Sequence, residues 1–333
     1  MSILITADLH LDDTHRNNDR WNLLPWLEEQ VKKYKVKELI VCGDLTDAKD
    51  RHPAIMTNKF VDGFASLAKM TNVYLIRGNH DYISEDFPFF MFMRRLASSL
   101  DFICEPTRVK SDEGNLLLLP NTKNWKEQWK DLDFTPFDYV FTHQTFDGAK
   151  AENGQELRGI PPSFFKSFKG QVFSGDIHVP QKVSRNIEYV GAPYRVHFGD
   201  SFRPRVLLLR KGEAQDLHFP CKSRELLVGR NLRDLQQADL AVGTQVKMRM
   251  LLKRSEYPEW PKLRKEIVTL SKERSWEMCG LEVKALASKD REIDEDEMVK
   301  QIEPADTLRL YADTKKLSKA MRTTGLEILK EAQ

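Results

Sequence analysis

The sequence predicts an α/β fold, followed by a small α+β domain and a helical end. Three observations carry this. Short aliphatic runs recur through the first 210 residues. Stretches with helical spacing lie between the early runs. The pattern then changes near residue 220.

The runs are Ile3–Thr6, Leu39–Cys42, Val73–Ile76, Leu116–Leu119, Tyr139–Phe141, Val172–Phe173 and Val206–Leu209. Gly, Pro, Asp or Asn bound them, as expected of buried strands. Residues 21–34 place Leu24, Leu27 and Val31 on one helical face. Residues 58–70 do the same with Val61, Phe64 and Leu67. Beyond 220, Val246–Leu252 and Leu281–Leu286 alternate as half-buried strands, and Trp260–Lys272 carries the stripe Leu263, Ile267 and Leu270. From about Glu295 the chain reads as helical, with Leu308, Tyr311, Leu317, Met321 and then Leu326, Ile328 and Leu329, and with Pro304 separating its pieces. The expected divisions are 1–220, 221–291 and 292–333.

Of 333 residues, 41% are hydrophobic and 31% charged, which supports a core and excludes a disordered chain. A net charge of +2 excludes a histone-like binder or an acidic tail as a description of the whole chain. The charge is uneven. Residues 246–291 hold 12 Lys/Arg against 7 Asp/Glu, whereas 292–333 hold 7 against 10. A polyanion would find its grip in the small domain, although ordinary solvated lysines give the same excess. Cys42, Cys104, Cys221 and Cys279 form no CxxC pair, which argues against a thiolate zinc site or a disulfide scaffold. With no signal-like start and no run of about 18 apolar residues, a soluble cytoplasmic protein with no membrane contact is expected.

The chemistry lies in the loops that leave the strands. Asp8-Leu9-His10 comes after the first strand and Gly43-Asp44-Leu45-Thr46-Asp47 after the second. Gly78-Asn79-His80-Asp81, Thr142-His143 and Gly175-Asp176-Ile177-His178 come after later ones. Loops at the carboxyl ends of neighbouring strands converge on one crevice. Five such loops deliver oxygen and imidazole donors suited to Mn²⁺, Fe²⁺ or Zn²⁺. A lone Asp-x-His or His143 would be unremarkable; order, spacing and position together point to a metal site.

These motifs resemble those of the calcineurin-like metallophosphoesterases: D-x-H, G-D-x-x-D, G-N-H-[DE], a later His and G-H-x-H, over about residues 1–200. The resemblance implies a β-sandwich flanked by helices and two divalent ions, Mn²⁺ above all, with Mg²⁺ an alternative. One ion would take Asp8, His10, Asp44 and His178; the other would take Asp44 as a bridge, with Asn79, His143 and Asp176. His80 would stabilise the scissile phosphate and protonate the leaving oxygen, and Asp47 would orient His80. Asp176 stands where the family pattern has His, and an oxygen ligand there tilts the second site from Zn²⁺ toward Mn²⁺ or Mg²⁺.

Ala48-Lys49 after Asp47, and Asp81 after His80, depart from the protein phosphatase branch. The layout is more similar to nuclease subunits of the SbcD type, in the run Gly175 to Gln181 (GDIHVPQ), the small domain and the terminal helices. That likeness implies a DNA nuclease, exonuclease on duplex and endonuclease on single strands, acting in repair and recombination. It implies an SMC-like coiled-coil ATPase partner of SbcC type docked on 292–333, and a location in a bacterial cell, or in its host if phage-encoded. Candidate DNA contacts are Arg51, His52, Lys247, Arg249, Lys253, Arg254, Lys262, Arg264 and Lys265. The Phe- and Met-rich run from Phe87 to Leu100 would form a homodimer through helices near 82–100, or else fill the core. Two other readings compete: a stand-alone phosphodiesterase for small molecules, and a binding module whose second site Asp176 has broken.

Overall fold

The structure, a computed structural model, describes residues 2–286 together with residues 321 and 324. Residues 1–251 and 258–284 form one compact unit, and 252–257 with 285–333 are a second. The helical stripes expected beyond residue 292 lie outside the described residues, apart from Met321.

Twelve strands build two sheets in the first part of the chain. They are β1 (Ile3–Thr6), β2 (Glu38–Cys42), β3 (Asn72–Ile76), β4 (Leu100–Ile103), β5 (Thr107–Ser111), β6 (Gly114–Leu119), β7 (Tyr139–His143), β8 (Gln171–Gly175), β9 (Gln181–Ser184), β10 (Ile187–Tyr189), β11 (Val206–Arg210) and β12 (Glu213–Leu217). The first sheet runs β12-β11-β1-β2-β3-β4 and the second β5-β6-β7-β8-β10-β9. In each, four successive strands are parallel (β1 to β4; β6, β7, β8 and β10); antiparallel β11 and β12 complete one edge of the first sheet, and antiparallel β5 and β9 form the two edges of the second.

The sheets pack face to face. Ile3, Ile5, Ile40, Cys42 and Ile76 of the first meet Leu116, Leu118, Phe141 and Phe173 of the second. The outer face of the first sheet (Leu4, Leu39, Val41, Val73) is covered by helices α1 (Leu23–Tyr34) and α2 (Ala54–Ala68) through Leu24, Leu27, Phe60 and Phe64. The outer face of the second is covered by Trp129, Phe165 and Phe168, next to the short helix α3 (Trp125–Gln128). Both faces of both sheets are therefore dry, which is why the central strands read as unbroken apolar runs and do not alternate. Gly63 lets α2 approach α1, since a Cβ there would lie 2.4 Å from Leu24 Cδ1. Helix α1 stops where Lys35 turns left-handed (φ 54) and gives its N–H to the Val31 carbonyl.

The run from Phe87 to Leu100 is not a long helix. It is a 3-10 helix over Phe89–Arg95, followed by β4. Phe90 and Met93 are buried in the first sheet's outer core, and Phe90 stacks on Phe60. Only part of the run reaches solvent: Phe87 is 83% exposed and Leu96 43%. The core reading thus accounts for its inner half.

A third sheet consists of β13 (Arg224–Gly229), β14 (Gln245–Leu252) and β15 (Glu277–Ala285), with helices α4 (Leu232–Gln236) and α5 (Trp260–Glu273). The strand expected at 281–286 begins earlier, at Glu277. In β14, Val246, Met248 and Met250 are buried and alternate with half-exposed Lys247 and Arg249. Helix α4 packs on β13 and α5 and begins with an Asn231–Asp234 capping box.

Candidate metal centre

The carboxyl ends of β1, β2, β3, β7 and β8 meet at one edge of the sandwich. The first sheet supplies Asp8, His10, Asp44 and Asn79; the second supplies His143, Asp176 and His178. The structure brings all seven together, and Asp8-His10-His178 and Asp8-Asp44-His143 are each groups close enough to hold one cation.

The backbone bends sharply to do this. Asp8 (φ 54), His10 (φ 40), Asp44 (φ 53) and Asp176 (φ 86) all take the left-handed conformation that disfavours residues with a Cβ. At about 1–2 kcal/mol each, four such residues approach the whole net stability of a domain, roughly 5–15 kcal/mol. Dense packing holds them. Asp81, fully buried, accepts N–H groups from Gly78 (2.7 Å), Asp44 (3.0 Å) and Leu45 (2.9 Å), so one carboxylate ties the second and third loops together. Burial and the charge of Asp44 push its carboxyl up to about 7, against the Gly78 and Leu45 N–H groups and the His143 imidazole. Glycines let the loops touch. A Cβ on Gly175 would lie 2.0 Å from the Cys42 carbonyl and 2.7 Å from His143 Nδ1. Gly175→Ala is therefore expected to cost about 3 kcal/mol and lower Tm by roughly 5–10 °C, checked by thermal denaturation of the metal-free protein.

The first cluster faces donors at one another. His10 Nδ1 lies 2.8 Å from Asp47 Oδ1, and His178 Nδ1 lies 2.8 Å from Glu152 Oε1. Each Nδ1 thus has a carboxylate beside it, at an angle outside a formed hydrogen bond, and the two Nε2 atoms lie 3.1 Å apart. Asp8 Oδ2, buried, has no hydrogen-bond partner. A proton shared between the imidazoles would serve only the nitrogens, whereas a divalent cation serves all three atoms.

In the second cluster, His143 Nδ1 donates to the Cys42 carbonyl (2.7 Å), leaving Nε2 2.8 Å from Asn79 Oδ1, 3.3 Å from Asp44 Oδ1 and 3.8 Å from Asp176 Oδ1. With its oxygen inward, Asn79 is set to ligate. Turned over, its NH₂ would instead donate to His143 Nε2 (2.8 Å) and to Asp44. Burial opposes a charge on His143, but the Asp44, Asp8 and Asp176 carboxylates outweigh it and push the imidazole well up. A proton and a cation thus compete for Nε2. Asp176 is not stranded: Thr145 Oγ1 donates to Oδ2, while Oδ1 faces the cluster. The residues present fit two divalent ions, with Asp44 between them, since its Oδ2 lies 3.6 Å from His10 Nε2.

His80 differs from these. Its backbone N–H donates to Asp44 Oδ1 (2.8 Å), and its ring is only partly buried. The Asp47 carboxylate, expected to orient it, is turned to His10; His80 Nδ1 instead meets the Asp47 carbonyl at 3.3 Å. The reason is reach: Asp47 arrives beside both rings, and its side chain points at the buried one.

A family model, calcineurin-like phosphoesterase, matches residues 1–180. The chain belongs to that family. Among curated relatives, protein 244L of Invertebrate iridescent virus 6, whose name marks it as a candidate phosphoesterase, is 24% identical over 238 residues, covering 66% of this chain and 81% of that protein. Exonuclease subunit 1 of Enterobacteria phage T4 is 23% identical over 233 residues, covering 66% and 67%. Among solved structures, GAP50, titled the anchor in the inner membrane complex of Plasmodium, is 10% identical, with 67% of this chain and 90% of that chain covered and a TM-score of 0.44.

Beside the phosphoesterase centre, a cleft of about 410 Å³ reaches from Asp47 to the small sheet. Its cations are Arg16, Arg20, Arg224, Lys247 and Arg249; its carboxylates are Asp12 and Asp47. Arg20 and Arg224 are buried, and neither has a carboxylate within ion-pair reach among the described residues. Both donate to the Val196 carbonyl, and Arg20 also donates to the His10 carbonyl (2.9 Å). Lys247 and Arg249 share one carboxylate, Glu282. The other candidate contacts are not among the residues that line this cleft. Lys262, Arg264 and Lys265 are carried on α5, Arg51 is exposed, and Lys253 and Arg254 are exposed in the second unit. His52 is not a free surface group: its ring packs on Phe89 with centroids 4.1 Å apart, and Nε2 lies 2.7 Å from Thr46 Oγ1. Sequence reasoning missed Asp81 as a clasp, and it missed Glu152, Arg20 and Arg224, because each finds its partners far along the chain. Among the described residues no helix is long and apolar enough to cross a membrane.

Proposed function

We propose that this phosphoesterase is a Mn²⁺-dependent DNA nuclease that acts in repair and recombination beside an SMC-like ATPase subunit. The observation that carries the reading is the cleft: five cations line it with Asp12 and Asp47, and Glu282 is the one carboxylate shared by Lys247 and Arg249. A small diester carries one phosphate and needs no such surface, whereas a nucleic-acid backbone presents a row of them. The name of the phage T4 relative, an exonuclease and a subunit, supports both parts of the reading. The exposed apolar residues Ile83, Phe87, Met91 and Leu96 favour a homodimer surface on that side.

Asp8, His10, Asp44, Asn79, His143, Asp176 and His178 would hold two divalent ions, which when bound would supply charge neutralisation at the phosphoryl group and an activated water. The protein's own groups do the rest. Asp44 sits between the two clusters and fixes the third loop through the His80 N–H. His80, held at Nδ1, presents Nε2 to stabilise the phosphoryl group and give a proton to the leaving oxygen. Arg249 and Lys247 hold the flanking backbone.

The test is hydrolysis of linear duplex, single-stranded circular DNA and bis-p-nitrophenyl phosphate, each with Mn²⁺, Mg²⁺ and EDTA. DNA degradation that Mn²⁺ supports and EDTA abolishes is expected, with DNA affinity falling steeply as salt rises from about 50 to 200 mM. Hydrolysis of the small diester alone would replace the nuclease with a small-molecule phosphodiesterase.

A further inference from the structure

The run after Asp176 contains Gln181, and the loop after His143 contains Glu152, the carboxylate beside His178. Glu152 lies in a tight turn, where Ala151 N–H donates to the Gln155 carbonyl and Gly154 (φ 82) returns its N–H to the Ala151 carbonyl. A β-bridge pairs Lys150 with Glu156 at its base. The turn extends into solvent, and its own contacts do not explain why it stays beside His178.

Gln181 does. Its Oε1 accepts the Lys150 N–H (2.9 Å) and its Nε2 donates to the Lys150 carbonyl (2.8 Å). A side-chain amide thus pairs with one residue's backbone as a neighbouring strand would. Gln181 stands three residues after His178 and opens β9. The segment that carries His178 therefore grips the turn whose Glu152 carboxylate meets His178 Nδ1 at 2.8 Å.

We propose that Glu152 is a positioning residue for His178, and that Gln181 fixes the turn that delivers it. This rests on the reading of His178 as a metal ligand. As an ion pair, a half-exposed contact of this kind contributes little to stability. As an outer partner of a ligating imidazole it does more: it keeps the proton on Nδ1, aims Nε2 at His10 and Asp8, and raises the nitrogen's donor strength. Asp47 serves His10 in the same way from the opposite side, so each imidazole of the first cluster has its own carboxylate.

The experiment is titration of the full chain with Mn²⁺, read by the electron paramagnetic resonance of free ion, alongside the Tm of the metal-free protein. Glu152→Ala is expected to weaken one of two Mn²⁺ sites by about 10–100-fold, leaving the other site and the metal-free Tm unchanged. Glu152→Gln, which can still accept from Nδ1, should recover part of the loss, and Gln181→Ala should weaken the same site. In a His10→Ala background, which lacks that site, Glu152→Ala should change nothing further. Wild-type affinity at both sites in Glu152→Ala overturns the proposal. So does a loss at both sites with a lower metal-free Tm, which would make the turn merely structural. If the wild type binds no divalent ion, the ligand reading fails first, and this failure is seen before any variant is compared.

Discussion

His80→Ala should keep both metal ions and lose hydrolysis by about 10²–10⁴-fold, the range for a missing general acid. The substitution keeps the backbone N–H that His80 gives to Asp44 Oδ1 (2.8 Å) and removes the edge contact of its ring with His10. What it removes is an imidazole held at Nδ1 by the Asp47 carbonyl and open at Nε2. The measurements are kcat/KM on bis-p-nitrophenyl phosphate and metal content per chain. His80 does stand close enough to His10 and Asp47 to share a cation with them. If an ion is lost with the imidazole, His80 is a ligand and the proton donor lies elsewhere.

Asp44→Ala should empty both positions. Its oxygens divide between the clusters, Oδ1 toward His143 Nε2 (3.3 Å) and Oδ2 toward His10 Nε2 (3.6 Å). Burial opposes its charge, yet His143, His10 and His80 together hold the carboxyl below the usual range, so it presents an anion to both sides. Affinity at each position should fall by more than the 10–100-fold typical of losing an outer partner. Hydrolysis should fall with it, and metal analysis after gel filtration should find fewer than one ion per chain. One retained ion would show that Asp44 serves a single site.

The fold was legible where the sheets are dry. Strands β1, β2, β3, β6, β7, β8 and β11 announce themselves because aliphatic side chains point both ways into apolar layers. Edge strands did not. Thr107–Ser111 and Glu213–Leu217 are polar and largely outside, and hydrogen bonding to a neighbour decides them more than burial does. The seven candidate ligands were legible because each lies at a strand end or just after one. Their supports were not. Asp81 stood in a quoted motif, but its three N–H partners come from two loops. Glu152 meets His178 across a separation that no spacing rule covers. Lys247 and Arg249 were separable from Lys262, Arg264 and Lys265 only once β14 and α5 had faces.

The centre joins the two sheets at one end of the sandwich. Its residues run from Asp8 to His178, and hydrogen bonds such as Asp176 N–H to Asp8 Oδ1 (3.0 Å) cross from one sheet to the other. Either sheet alone carries only part of each donor set. During synthesis, the ribosome must release some 180 residues before any cation finds its full complement, and long-range closures of this kind come late in folding. A nascent chain or fragment that lacks either sheet therefore lacks a full donor set for either cation. The complete donor set arrives together with the finished tertiary structure.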